Sequence, residues 1–230
     1  VFTHGYGFTV SPVNTKAQDG LPEYFISDLG VSTKIQGNDS LGITRQDVLD
    51  SFPIGRAAIY YGMLSSGYAV APSSIKELDF PEGNKNIFNH YTGKGGIPLK
   101  TIAQRLSSSI FLREPRLLNT GSLTTQSRLL IRRNVKNRVL SIAPFLKVIG
   151  DPYLVSVSIS STSNDFEKEQ FQYWIVEGYT TALTYPYAST PSNKSPIRYI
   201  RNSVKAVVDA YSGRVTLYIS EPNDPLIKGW

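Results

Sequence analysis

The feature that most constrains this chain is a pair of alternating apolar stretches near its C-terminus. Apolar residues occupy every second position from Val204 to Ala210 and again from Val215 to Ile219, with the turn-forming residues 211–214 between them. A period of two is typical of a strand with one buried face, and two such strands around a short turn form an antiparallel hairpin. This segment therefore predicts part of a β-sheet.

Two further segments extend that sheet. The stretch 153–159 carries Val155, Val157 and Ile159 on one face, and the stretch 171–181 alternates in the same way. A polar loop over 164–170 links them. With the terminal hairpin they predict an antiparallel sheet of about four strands in the C-terminal half.

Apolar residues recur at helical spacing in two segments before the sheet. The first stripe consists of Leu99, Ile102, Leu106 and Ile110. The second consists of Ile131, Val135, Val139, Ile142 and Leu146. These intervals of three and four predict long amphipathic helices over about 98–112 and 124–145. We expect both helices to pack on the sheet, which makes the fold class α+β.

The N-terminal part is rich in turn-forming residues and only partly β. We expect a short helix over 45–52 and a pair of strands over 57–61 and 67–71. The chain is interpreted as one soluble domain or a fragment of a larger soluble region, with a possible subdivision into 1–96 and 97–230. It begins at Val1 with no start residue, which suggests a piece of a longer protein.

Composition excludes several classes of site. The chain has no cysteine, so disulfide scaffolds, iron–sulfur clusters and thiol nucleophiles are ruled out. Neither His4 nor His90 has a second ligand at metal-binding spacing, and we expect no metal and no cofactor. Asp151, Glu177 and Asp209 do not identify an acid/base pair from sequence alone.

The loop Gly93, Lys94, Gly95 and Gly96 directly precedes the first predicted helix. Free backbone N–H groups at a helix start favour an anion, and Lys94 adds a cation. Arg132 and Lys136, in the basic run 128–138, are further candidates for anion binding. The alternatives are a simple helix-entry turn and a solvated helix face. The net charge of +6 does not indicate nucleic-acid binding, because the basic run lacks interleaved aromatic residues.

A group of aromatic residues lies between the last long strands. Tyr179, Tyr185 and Tyr187 predict a stacking surface for a glycan or another protein if they share an exposed face. The alternative is that these rings form part of the sheet core. Near the N-terminus, His4 lies among small residues, and we expect a turn that places an aromatic ring. The alternative is that His4 is a catalytic base.

Several long motifs closely resemble one bacterial family. They include THGYGFTVSPVN (3–14), YTGKGGIPL (91–99), SRLLIRRNVKNRV (127–139), WIVEGYTTALTYPYAS (174–189) and YIRNSVKAVVDAYSGRVTLYI (199–219). The chain is similar, nearly end to end, to uncharacterised protein family 0182, large bacterial membrane proteins found notably in cyanobacteria and actinobacteria. Two departures from its pattern are Met63, where an acidic residue is expected after Tyr-Tyr-Gly, and Glu177-Gly178, where Asp-Ala is expected.

The resemblance implies where the chain sits in its parent. Several transmembrane helices would precede it, and this segment would belong to a large region outside the cytoplasmic membrane. The partners expected are the remainder of its own membrane-embedded chain, envelope components or other proteins. We expect a non-catalytic extracytoplasmic domain that acts in binding at the cell envelope; the alternative is a hydrolase acting on envelope material. Pocket geometry distinguishes the two, because an enzyme requires carboxylates or a histidine within reach of each other.

Overall fold

A computed structural model describes most of the chain. The described residues are 3–14, 16, 19–21, 24, 58–65, 67–82, 85–157, 172–191 and 195–230. The short helix predicted over 45–52 lies outside them.

Strands predominate over helices. In chain order the strands are β1 Gly5–Tyr6, β2 Ala58–Ile59, β3 Ala69–Ala71, β4 Glu77–Glu82, β5 Lys85–Asn89, β6 Ile97–Pro98, β7 Arg128–Leu130, β8 Lys147–Val148, β9 Tyr153–Ser156, β10 Gln172–Ala182, β11 Tyr199–Asp209 and β12 Val215–Ile219. The helices in the described residues are α1 Ile102–Leu112, α2 Arg116–Asn119 and α3 Val135–Ile142, and a 3₁₀ turn follows at Ile227–Gly229. The architecture is mixed α and β, with several antiparallel sheets and few helices.

The main sheet has the strand order β12-β11-β10-β8, and β9 also pairs with β10. Strands β10 and β11 run antiparallel from the Tyr173–Asp209 pair to the Ala182–Tyr199 pair, with a register shift at Gly178. An antiparallel sheet is therefore present in the C-terminal half, with five strands where about four were predicted. Asp209 also behaves as a turn residue, because its Oδ1 accepts the backbone N–H of Tyr211 at 2.8 Å.

The single helix predicted over 124–145 is wrong. Residues 128–130 form β7, which lies between β3 and β6, and Leu129 and Leu130 are fully buried there. A left-handed backbone follows at Arg132, with φ of 50°. Helix α3 then starts after Asn134, whose side chain accepts the backbone N–H of Asn137 at 3.0 Å. Strand pairing and this N-cap override the helical periodicity.

The first helix starts later than predicted and packs elsewhere. Residues 97–98 pair with β7 as β6. Helix α1 begins after Thr101, which forms a capping box with Gln104. Its principal contacts are with α2, whereas α3 is the helix that lies on β10 and β8. The expectation that two long helices cover the sheet is therefore incorrect.

The strand pair predicted from 57–61 and 67–71 is also incorrect in its pairing. Both strands exist, but β2 pairs with β1 and β3 pairs with β7.

In the described part of the chain, none of the helices is both long enough and apolar enough to cross a bilayer.

Tyrosines form the centre of the core. The rings of Tyr60 and Tyr91 meet edge to face with centroids 4.6 Å apart, and Tyr91 stacks on Tyr211 at 5.0 Å. Around them pack buried aliphatic residues of β10, β11 and α3, including Val176 and Val208. The core thus draws on both sides of the suggested 96/97 boundary, while the division into domains itself stays a prediction.

Candidate functional site

A buried cluster of polar and charged side chains joins the N-terminal segment to β4. The side chain of His4 has no exposed surface, and its Nε2 lies 2.9 Å from Oδ1 of Asp79. Its Nδ1 lies 3.0 Å from the hydroxyl of Thr3 and 3.7 Å from Oε2 of Glu77. One imidazole is therefore within reach of two carboxylates and a hydroxyl.

Glu77 is the centre of this cluster. Its side chain is 1% exposed. Oε2 accepts the hydroxyl protons of Thr3 and of Tyr60, the latter at 2.7 Å, and Oε1 accepts the backbone N–H of Tyr91 at 3.0 Å. Burial alone raises a carboxyl pKa, but these bonds and that to His4 outweigh it and lower the pKa of Glu77 to about 2.

The cations of the cluster complete its charge balance. Burial lowers the pKa of His4, but its bonds to Glu77 and Asp79 and their negative charges raise that pKa above its ordinary value. The guanidinium of Arg133 donates through Nε to the carbonyl oxygen of Tyr60 at 2.8 Å, and through Nη2 to that of Thr3. With His4 protonated, the imidazolium faces two carboxylates, and the negative charge of Glu77 also acts on Arg133.

The fold explains how distant residues meet here. Thr3 and His4 precede β1, and β1 pairs with β2, which ends just before Tyr60. Glu77 and Asp79 are two positions apart in β4, and both carboxylates reach the imidazole of His4, although the pairing of β4 with β5 shifts its register between Leu78 and Phe80. The residues around His4 predict a turn and do not reveal its carboxylate partners, because these lie more than 70 residues away in the chain. The Glu-x-Asp spacing within a strand was the available signal.

A pocket of about 400 Å³ opens beside this cluster. Thr3 and Arg133 belong to both the cluster and the pocket lining. Aliphatic side chains form much of the remaining wall, among them Val70, Leu117 and Leu123. The buried acid–base network therefore lies directly behind one end of the pocket.

Helix α1 presents an unusual surface. Its buried positions are Ser108 and Ser109, each 5% exposed, whereas Ile102 is 81% exposed and Ile110 69% exposed. Leu106 lies between these isoleucines at the same spacing of four, and Phe111 is 64% exposed. We call Ile102, Leu106, Ile110 and Phe111 the α1 face. Apolar side chains at helical spacing normally face the core, so this helix exposes the side that a globular domain buries.

A second buried carboxylate secures the C-terminus. Asp224 is fully buried, and it accepts hydroxyl protons from Thr180, Ser203 and Tyr199, the last at 2.6 Å. These bonds outweigh desolvation and lower the pKa of Asp224 to about 2. Trp230 stacks on Phe145 with ring centroids 4.2 Å apart. The last ten residues are thereby tied to β10 and β11.

Comparison with known proteins identifies the family. The model described as Uncharacterised protein family (UPF0182) matches residues 1–230. The chain belongs to this family. It is 65% identical over its whole length to a UPF0182 protein of Prochlorococcus marinus (strain MIT 9303), of which it covers 24%. It is 59% identical to one of Synechococcus sp. (strain CC9311), covering 25% of that protein. It spans about a quarter of these curated relatives. No solved structure matches it.

The glycine loop predicted to bind an anion is a packed part of this UPF0182 chain. It precedes β6 and not a helix, since α1 begins only at Ile102, so the helix-start argument is wrong. Arg128 donates to the carbonyl oxygens of Gly95 and Gly96 at 2.6 and 3.1 Å. A Cβ at Gly95 would lie 2.0 Å from the backbone oxygen of Ser212. The loop thus docks on the β11–β12 turn.

The remaining members of the predicted anion site lie at dissimilar positions. Gly93 is buried against the ring of Tyr91, whereas Lys94 is exposed. Arg132 is exposed before α3, and Nζ of Lys136 donates to the carbonyl oxygen of Gly150 at 3.2 Å. Anion binding by these residues stays a prediction.

The predicted aromatic residues do not share one environment. Tyr179 is half-buried in β10 and donates to Glu177 at 3.2 Å. Tyr185 stacks on Tyr199 with centroids 4.6 Å apart. Tyr187 is fully exposed. Stacking with a glycan or protein stays a prediction for all three tyrosines.

The structure shows the surroundings of the two departures from the family pattern. Met63 packs against the core, and its backbone oxygen accepts the side-chain N–H of Asn134 at 2.5 Å. Glu177 forms an ion pair of 2.6 Å with Lys205 on the partly exposed surface of the main sheet, and it also accepts from Asn202 at 2.8 Å. Glu177 is therefore part of a surface network, apart from the His4 cluster.

Proposed function

We propose that this chain is a non-catalytic, extracytoplasmic domain of a bacterial membrane protein, which docks on other parts of its own parent chain. The α1 face is the observation that carries the docking proposal. The extracytoplasmic location comes from the family resemblance.

The α1 face supports an interface because its exposure is costly. Removing apolar surface from water is worth about 25 cal/mol per Å². Ile102, Ile110 and Phe111 leave most of their surface in solvent. Contiguous exposed apolar surface on a soluble protein marks an interaction site. A partner that binds this face would bury the apolar surface that the isolated domain leaves exposed to water.

The length of the relatives favours the parent chain as that partner. About three quarters of their sequence lies outside the part that this chain matches. A covalently linked segment has a high effective concentration, so a modest apolar face is enough to hold it. A free partner would require a larger contact area for the same occupancy.

The His4 cluster supports a structural role over a catalytic one. Both ring nitrogens of His4 are engaged, and its raised pKa favours the protonated form, which cannot act as a general base. The Thr3 hydroxyl donates to Glu77 and is therefore not activated as a nucleophile by the imidazole.

Site-directed photo-crosslinking in the full-length parent protein tests the docking. A photoreactive residue is placed at Ile102 or Ile110, and the exposed Asn137 on α3 is the control position. We expect crosslinks from both α1 positions to peptides of the parent outside this segment, and none from Asn137. Crosslinks to a second copy, to lipid only, or to residues 25–57 of the same domain would overturn the proposal.

The location requires a separate experiment. This segment has no cysteine, so Arg132→Cys introduces one exposed thiol into it. In spheroplasts carrying the parent, a membrane-impermeant maleimide should label this variant above the level of the unmodified parent. Labelling only after the membrane is opened would place the domain in the cytoplasm.

The hydrolase alternative is favoured by one observation, the imidazole within reach of two carboxylates beside a pocket. It predicts turnover of an activated ester that is lost in Thr3→Val and in His4→Gln. Absence of turnover in the folded wild-type chain, or turnover that both variants retain, would count against it.

A further inference from the structure

We propose that the pocket beside Thr3 and Arg133 binds a small organic anion, a carboxylate or phosphate group carried on a short apolar chain. This binding is independent of the docking function proposed for the α1 face.

The charge of the pocket selects an anion. Two of its lining residues are Arg116 and Arg133, and the described residues that line it include no aspartate or glutamate. The Arg116 side chain is 91% exposed, and its contact with Glu114 is a distant 3.9 Å. An exposed pair of this kind is worth little, so Arg116 remains available to a ligand.

Arg133 adds a fixed and partly desolvated donor. In the described part of the chain its hydrogen bonds go to the neutral carbonyl oxygens of Tyr60 and Thr3, and no salt bridge joins its guanidinium to a described carboxylate. Because a guanidinium carries five N–H donors, it can hold these two carbonyls and still donate to an oxyanion. Two arginines at one pocket therefore suit a carboxylate or phosphate group.

The aliphatic walls of the pocket favour a ligand with an apolar portion. Val70, Leu117 and Leu123 contribute aliphatic surface, and Leu117 is almost completely buried. A volume of about 400 Å³ is typical of small-molecule sites. At about 30 Å³ for each water-sized group, this space holds roughly a dozen non-hydrogen atoms.

The hydroxyl groups of the pocket argue against a neutral sugar. The side chains of Thr120 and Ser122 bond each other at 2.7 Å, and Ser73 donates to the carbonyl oxygen of Ile75 at 2.9 Å. These groups already have partners, so a glycan would compete with existing bonds. The arginines are the groups that a ligand can engage at least cost.

Titration calorimetry with matched probes tests the proposal on the 230-residue chain. The probes are octanoate, octyl phosphate, octanol and inorganic phosphate. We expect saturable binding of at least one of the two amphiphilic anions, and binding at least tenfold weaker for both octanol and inorganic phosphate. Equal binding of octanol would indicate a purely apolar pocket. Equal binding of inorganic phosphate would indicate an anion site without a tail pocket.

Two variants and a control locate the binding. Arg116→Gln removes an exposed charge and should weaken amphiphile binding about tenfold, whereas Arg201→Gln removes the same charge from an exposed position on β11 and should leave it unchanged. Val70→Phe should reduce the volume and abolish binding. Equal loss in both arginine variants, or full binding by Val70→Phe, would overturn the assignment. Neither outcome bears on the crosslinks from α1.

Discussion

Substitution of Glu77 by glutamine isolates the energetic role of the buried cluster. Glutamine keeps the shape of the side chain but replaces one carboxylate oxygen with an NH₂ group. In one orientation that group faces the hydroxyls of Thr3 and Tyr60, and in the other it faces the backbone N–H of Tyr91. When the NH₂ group faces the N–H of Tyr91, a donor meets a donor. When it faces the two hydroxyls, these must turn to accept its protons and lose the carboxylate oxygen to which they donate, so bonds are lost in either orientation.

The magnitude follows from the pKa of Glu77. The carboxyl falls from its ordinary 4.5 to about 2 in the folded chain. Each step of one in pKa corresponds to about 1.4 kcal/mol, so ionised Glu77 contributes about 3 kcal/mol to folding. Because the folded pKa is the lower one, this stability is present above pH 4.5 and is lost as the pH falls towards about 2.

Urea unfolding followed by tryptophan fluorescence measures this contribution. We expect Glu77→Gln to be less stable than wild type by about 3 kcal/mol at pH 5, and by only about 1 kcal/mol near pH 2.5. His4 is protonated at both pH values, so its titration does not contribute to the difference between them. Asp151→Asn, at an exposed carboxylate, is the control and should change little. A loss below 1 kcal/mol at pH 5, or a loss that does not depend on pH, would refute the reasoning.

Three further predictions concern the same scaffold. The stability contributed by His4 is fully present below pH 6.5 and is lost as the pH rises through its raised folded pKa, so urea titrations from pH 6 to 9 should show a decline that His4→Gln lacks. Asp224→Asn should cost about 2 kcal/mol and increase hydrogen exchange at residues 220–230; unchanged exchange there would contradict the tie to Asp224. Gly95→Ala should cost at least about 3 kcal/mol in thermal unfolding, because its Cβ would overlap the backbone oxygen of Ser212; wild-type stability would mean that the loop is not packed this closely.

The elements that sequence predicted well are those whose pattern and pairing are local. The alternation in β11 and β12 and the short turn between them specify a hairpin without reference to the rest of the chain. The turn role of Asp209 is local in the same sense. Periodicity failed over 124–145 because it does not report strand pairing. Leu129 and Leu130 are buried by β3 and β6, which lie more than 30 residues earlier.

The candidate site was less accessible from sequence for a related reason. The contact between His4 and Asp79 spans 75 residues, and nothing in the intervening chain indicates that β1 and β4 come together. The sequence predicts the apolar stripe of α1, but it does not predict that this stripe faces outward. A helical pattern shows that one face of a helix is apolar. It does not show whether the residues that bury this face belong to the same segment.

Two features of this domain differ from the usual arrangement of charged residues outside and apolar residues inside, and both have the same explanation. The ionisable groups that resemble a catalytic site are buried in hydrogen-bond networks. Glu77 binds residues 3 and 4 near the start of the chain, and Asp224 lies near its end. Each network ties one end of the segment to a strand. The apolar residues that resemble core lie outside on α1. Both features fit the proposed docking, in which these networks hold residues 3–4 and 224 on strands and the α1 face contacts another part of the parent chain. Restoring a polar outer face by Ile102→Ser and Ile110→Ser should therefore leave the folding of the isolated segment intact and weaken its association with the rest of the parent, measured by co-purification of separately expressed parts. Unfolding of the isolated double variant would show that the α1 face already belongs to the core of this segment, and the argument would then fail.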